Sequence, residues 1–268
     1  MKVKIHNKEC YIDGYLNSNL TLAKKVIKKD LDLVFVVDGF EGSGKSTLAQ
    51  MCACFLDPTF NIKRICFTAK QFKEAIEEAK PYQAVIFDEA YRSLSSRGAL
   101  SEVNKALISM MTQIRYKNLF VFIIIPCFFE LDKYISVWRS RALLNCRFGT
   151  NFQRGYFYFY SVSRKKDLYI KGKKFYEYKV PPTFKGRFTK FSPINQNKYK
   201  EKKMKSLSEK SELSKYQEDC RIQRNNLIVW CKNEGKTCEE IGNKIELGSS
   251  AIRSIIKRGN YDEGKRHN

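Results

Sequence analysis

Residues 31–47 read Leu-Asp-Leu-Val-Phe-Val-Val-Asp-Gly-Phe-Glu-Gly-Ser-Gly-Lys-Ser-Thr. The first seven form a β-branched, mainly apolar run closed by Asp38 and Gly39, the composition of a strand buried on both faces of a parallel sheet. Glycines at 39, 42 and 44 then make a tight loop, and 47–55 has helical spacing. Strand, glycine loop and helix in that order open an α/β fold.

Outward from this unit, helix and strand keep alternating. Residues 64–67 read as a strand, Thr68 as the N-cap of a helix over 69–79, 84–87 as a strand, and 101–115 as a long helix. The most apolar strand is 119–125, and 142–148 reads as another. Upstream, 20–28 is helical, and 3–5 with 11–16 make a small N-terminal β element. The alternation predicts a parallel sheet with helices on both faces and ligands at the carboxyl ends of its strands. Past Gly155 the pattern predicts an antiparallel β extension: a strand over 156–162, then a hairpin of 167–170 and 174–178 around Lys171-Gly172-Lys173. Residues 195–219, rich in Lys, Ser, Glu and Gln, read as a linker or a solvated helix, and 221–259 regains helical periodicity. The expected divisions are 1–194, 195–220 and 221–262.

At about 150 residues per domain, 268 residues suit one medium domain and a small module. With 43% apolar residues the chain fills a sizeable core, which excludes a disordered or fibrous protein. The formal charge is +22, and 161–210 holds sixteen basic against four acidic residues, so over half the excess lies in one stretch that suits a polyanion such as nucleic acid or an acidic membrane surface. The nine cysteines are scattered without zinc spacing, as reduced thiols in a cytoplasmic protein would be. The apolar run at 119–125 is too short for a membrane span of roughly 20 residues, so no membrane partner is expected.

The loop fits GxxxxGK(S/T) between a strand and a helix, the arrangement that curls backbone N–H groups around phosphates and aims a helix N-terminus at them. Gly39, Gly42, Ser43, Gly44, Lys45, Ser46 and Thr47 are the expected nucleotide-binding set. Lys45 would charge the β- and γ-phosphates, and Ser46 would ligate Mg²⁺. Val85-Ile86-Phe87-Asp88-Glu89 carries carboxylates to a strand end, where Asp88 would hold Mg²⁺ through water and Glu89 would be the base orienting the attacking water. The alternative is a solvated acidic pair. No NKxD sequence occurs, which argues against a Ras-type GTPase and leaves ATP as the expected nucleotide.

Two regions point to DNA. Lys198, Lys200, Lys202 and Lys203, in a run reaching Lys205, either contact phosphates or solvate a linker. In the window 238–257, Ile241, Ile245, Leu247, Ile252 and Ile255 have the spacing of two short helices across a tight turn, with Gly242 where the helices come close. This resembles a helix-turn-helix with its turn at 247–250 and a recognition helix at 251–258, so that Ser249, Ser250, Arg253 and Lys257 face DNA. Glu246 stands where such motifs usually carry glycine, and a helical hairpin for subunit contacts is the alternative. The aromatic residues Phe152 and 156–160 read as a strand packed on both sides, or as stacking faces for single-stranded DNA.

Taken with Phe87-Asp88-Glu89-Ala90, Gln113-Ile114-Arg115-Tyr116-Lys117-Asn118 and 126–133, the stretch 39–141 resembles the P-loop ATPases of the FtsK/HerA group, especially the zonular-occludens-toxin-like and viral DNA-packaging ATPases. The resemblance implies a homo-oligomer, often a ring, that threads or packages DNA. It also implies an arginine supplied by a neighbouring subunit, with Arg115 first and Arg139 or Arg141 next among the arginines after Asp88; the alternative for each is a surface charge. Ile125-Pro126 replaces the polar residue that such relatives often carry at the end of the fourth core strand. The expected function is therefore an ATP-hydrolysing motor on DNA, and the second reading is a nucleotide-switched replication or partition factor with slow turnover.

Overall fold

The computed structural model describes residues 2–5, 8–88, 97–189 and 194–263. Strands β1 (Lys2–Ile5) and β2 (Lys8–Tyr11) form an antiparallel hairpin. The second strand stops earlier than predicted, because the Asp13 carboxylate accepts from the Tyr15 and Leu16 N–H groups and starts helix α1 (Gly14–Val26).

The predicted alternation follows in β3 (Leu33–Gly39), α2 (Lys45–Leu56), β4 (Ile65–Cys66), α3 (Ala69–Glu78), β5 (Ala84–Phe87), α4 (Arg97–Tyr116), β6 (Phe120–Ile124) and β7 (Ser140–Arg147). Strands β8 (Tyr156–Tyr160) and β9 (Phe184–Arg187) complete a seven-stranded sheet of order β4-β5-β6-β3-β7-β8-β9. The first five strands in that order are parallel, and β8 and β9 are antiparallel. Alternate residues of each strand serve opposite layers. Phe35, Val37, Phe122 and Ile124 pack with α1 and α2, while Val34, Val36, Val121 and Ile123 pack with α3 and α4. Burial on both sides is why the strands carry continuous apolar runs. The aromatic run of β8 is part of this packing, with Phe157, Phe159 and Tyr160 buried.

The antiparallel extension is present, but the hairpin around Lys171-Gly172-Lys173 is not. Residues 162–172 form helix α5 (Val162–Gly172), which buries Lys165, Leu168, Tyr169 and Gly172 along one side. That three- and four-residue spacing outweighs the local turn chemistry. Gly172 serves close approach instead, since a Cβ there would sit 2.3 Å from the Glu177 carbonyl oxygen.

Helix α6 (Gln196–Asn233) takes up the whole lysine-rich segment. The chain divides into two compact units, Met1–Lys203 and Met204–Asn268. In the second, α7 (Cys238–Ile245) and α8 (Ser249–Glu263) close with Ile228 over a small core of Ile241 and Ile252. Thr237 and Glu240 form a capping box at the start of α7. All nine cysteines are free thiols. No helix among the described residues is long and apolar enough to cross a membrane.

Candidate functional site

The predicted loop residues converge at the carboxyl end of β3. Gly39, Gly42 and Gly44 have φ of +130°, +74° and +101°, in the region that favours glycine. At Gly39 a side chain is also excluded by space, because a Cβ would lie 2.2 Å from the Cys146 carbonyl oxygen of β7. Ser43 closes the loop through its N–H and hydroxyl, both donated to the Phe40 carbonyl. Lys45 opens α2 and lays its ammonium across the loop mouth, donating to the Gly39 and Phe40 carbonyls at 2.7 and 2.9 Å. Burial pushes its pKa down, against the acidic pull of neighbours that include Asp38 and Asp88. Ser46 and Thr47 are half-buried in the same helical turn. Helix α2 has no side-chain cap and no acid in its first turn, so its positive end is left for an anion.

Asp88 directly follows β5, is buried, and accepts from the Tyr199 hydroxyl at 2.6 Å. Tyr199 belongs to the first turn of α6 and packs edge-on against Phe67. Three residues on, the Lys202 ammonium donates to the Ile62, Lys63 and Ile65 carbonyls at 3.0, 3.3 and 2.6 Å. The start of α6 is thus held at the ends of β4 and β5. Lys198 and Lys200 are exposed and Lys203 is half-buried, so the four lysines expected to act alike do not share one environment. Glu89 lies outside the described residues.

Sequence reading missed the group beneath the loop. Asp38, the last side chain of β3 before Gly39, is fully buried and accepts from the Asn145 amide at 2.8 Å, the Phe128 N–H at 3.1 Å and the Tyr178 hydroxyl. Burial raises its pKa to about 6, although these three donors and the nearby Lys45 charge pull it down. An acid inside an apolar run was the available signal. Beside it, Arg147 donates to Asn145 at 2.7 Å and stacks over Tyr158 and Tyr178. Gly39, Phe40, Pro126, Asn145, Arg147 and Tyr178 line a cleft of about 490 Å³. Arg154 also approaches the loop, its Nη2 lying 3.7 Å from where a Gly42 Cβ would be.

The arginines expected to act between subunits are elsewhere. Arg115 precedes β6 and donates to the Asp30 carbonyl, with its carboxylate 3.5 Å away. Arg139 precedes β7, is ion-paired with buried Asp32 at 2.5 Å and donates to the Met111 carbonyl. Arg141 is exposed at the start of β7. All three stand at the amino end of the sheet, one strand length, roughly 20 Å, from the glycine loop.

In the second unit a Cβ on Gly242 would meet the Leu247 carbonyl oxygen at 2.4 Å, so glycine is needed for close approach, as expected. Glu246 adopts the left-handed conformation that glycine would supply, at φ 55°. Helix α8 starts at Ser249, two residues before the expected start. Ser250, Arg253 and Lys257 are exposed and Ser249 is half-buried. No protein-family model and no curated protein matches the chain.

Proposed function

We propose that the protein is a P-loop ATPase of the FtsK/HerA type that acts on DNA as a homo-oligomer. The observation that carries this reading is the shared edge of the sheet, where the 39–47 loop with Lys45 across its mouth and Asp88 at the end of β5 are separated by β6 alone. Strand spacing of about 4.8 Å leaves roughly 10 Å between them, room for phosphates and a hydrated cation. Mg²⁺ held there would supply positive charge to the phosphate oxygens. The loop N–H groups and Lys45 bind and orient the phosphates. The Ser46 hydroxyl and the Asp88 carboxylate would hold the ion, and Glu89 would orient the attacking water. The arginine that this reading takes from a neighbouring subunit would be Arg115, which stands a strand length from its own loop and would have to leave Asp30 to act there.

The close turn at Gly242, the left-handed Glu246 and the exposed Ser250, Arg253 and Lys257 support a helix-turn-helix that reads DNA from α8. The nucleotide-switched reading is favoured by one contact. The Tyr199 hydroxyl ties the first turn of α6 to Asp88, so occupancy of the site can be felt by that turn.

ATPase rate with and without DNA, taken alongside oligomeric mass, separates the two readings. Strong stimulation in an oligomer supports the motor, and slow turnover with sequence-specific binding supports the switch. Lys45→Ala should weaken nucleotide binding at least about 100-fold, the loss of a charged phosphate contact. Glu89→Gln should bind ATP and hydrolyse it at least about 100-fold more slowly. Undiminished binding by Lys45→Ala would remove the phosphate-loop reading.

A further inference from the structure

Between α4 and α5, at the amino end of the sheet, the chain passes through a π-helical turn, Tyr134–Arg139. The turn is pinned from beneath, where the fully buried Lys165 of α5 donates its ammonium to the Ser136 and Val137 carbonyls. Such turns are rare and gather at functional positions. Two rings on this turn are open to solvent, Tyr134 at 44% and Trp138 at 61% exposure. Tyr134 and Arg139 join Ile108, Thr112 and Arg115 of α4 along a cleft of about 550 Å³. On the other flank the Lys166 ammonium stands 5.1 Å from the Trp138 ring centroid. Lys133 and Arg141, at the two ends of the turn, are exposed. Of the acids here, Asp30 and Asp32 are paired with Arg115 and Arg139, and the Asp132 carboxylate accepts from the Tyr134 N–H.

We propose that this face binds single-stranded nucleic acid, with bases stacked on Trp138 and Tyr134 and phosphates against Lys133, Arg141 and Lys166. Protein interfaces are poor in lysine around such rings, whereas Lys166 stands at Trp138 and the exposed Lys133 adjoins Tyr134. A duplex hides its base faces in its own stack. A single strand offers open π-faces and a continuous line of negative charge, the two features this face complements. The site rests on the reading of the protein as one that works on nucleic acid; it needs neither ATP turnover nor the C-terminal helices.

The test is a titration of the full-length protein with labelled oligothymidylate and with a duplex of equal length. Trp138→Ala and Tyr134→Ala should each weaken single-strand binding about 5- to 100-fold, the usual range for one stacked base. Duplex affinity should change less than about twofold, since phosphate contacts remain. Trp138→Phe should keep most of the affinity, and the quenching of tryptophan emission by oligothymidylate should persist in Trp230→Phe and vanish in Trp138→Phe. Unchanged single-strand affinity in both alanine variants overturns the site. An equal loss for duplex overturns the stacking claim, and altered oligomeric mass with unaltered oligonucleotide binding makes the face a contact between copies. Should the unmutated protein bind no nucleic acid at all, the nucleic-acid part of the proposed function fails with it. If it binds and the variants do not matter, this site alone fails.

Discussion

At the carboxyl end of the sheet Asp38 and Asp88 are buried and Lys45 half-buried, each held by hydrogen bonds from or to its own fold. At the amino end Tyr134, Trp138 and Arg141 stand in solvent. The same five parallel strands support both ends, yet the loop end keeps its acids within hydrogen bonds, while the amino end, over the buried Asp32–Arg139 pair and Lys165, also shows rings and cations to solvent. Buried polar groups must be satisfied, so a network of this kind fixes geometry closely. Exposed rings and cations cost little to keep and adapt to whatever arrives. Under the proposed function the loop end would take the small, fixed ligand and the amino end the polymer.

The largest expected effect tests how closed the carboxyl end is. Gly39→Ala would drive a Cβ to 2.2 Å from the Cys146 carbonyl at a φ of +130°. Backbone cannot move aside as a side-chain tip can, so the change should destabilise the protein by about 3–5 kcal/mol in urea unfolding. Gly14→Ala is the control. Nothing lies within 4 Å of a Cβ there, and helix propensity should make it neutral or up to about 1 kcal/mol stabilising. A loss below about 1 kcal/mol for Gly39→Ala would mean that the loop is not packed as described.

Next in size is a dependence on pH. Burial has raised the Asp38 pKa to about 6, above the model-peptide value of about 3.9. Folding therefore favours the protonated acid, and its contribution to stability is complete below about pH 4 and lost as pH rises through about 6. The shift corresponds to about 3 kcal/mol. Asp38→Asn cannot titrate, so the stability difference between parent and variant should shift by about that amount between pH 4 and 7, in the variant's favour at higher pH. A constant difference would show that Asp38 does not titrate in that range. At the amino end, Trp138→Ala should show the parent's pH profile.

How the two ends were legible in the sequence differs for a physical reason. Strands buried on both faces write continuous apolar runs, so β5 was bounded correctly at 84–87 and the glycine loop fell into place between β3 and α2. Helix α5 was misread because Lys171-Gly172-Lys173 has hairpin chemistry, while its burial spacing at 165, 168, 169 and 172 is helical. Asp38 left a trace, an acid in an apolar strand. Tyr199 left none, since its partner Asp88 is 111 positions away and nothing periodic links them. Nor does a lysine-rich run reveal that Lys202 among its members meets three carbonyls.

The smallest expected effect cuts the lightest thread of the closed end. Tyr199→Phe removes one hydroxyl and keeps the ring against Phe67. One hydrogen bond to a carboxylate contributes about 1.5–3 kcal/mol, so urea unfolding should register a loss of that order or less. The Asp88 carboxylate, released from its donor at 2.6 Å, would sample more orientations. If Asp88 holds the ion's water, the Mg²⁺ concentration for half-maximal nucleotide binding should then rise, by about threefold for each 0.65 kcal/mol of lost positioning. A stability loss without any change in Mg²⁺ requirement would make Tyr199 a structural tie for α6 and nothing more. A changed Mg²⁺ requirement would make the start of α6 part of the site, which the lysine-rich sequence around it gave no reason to suspect.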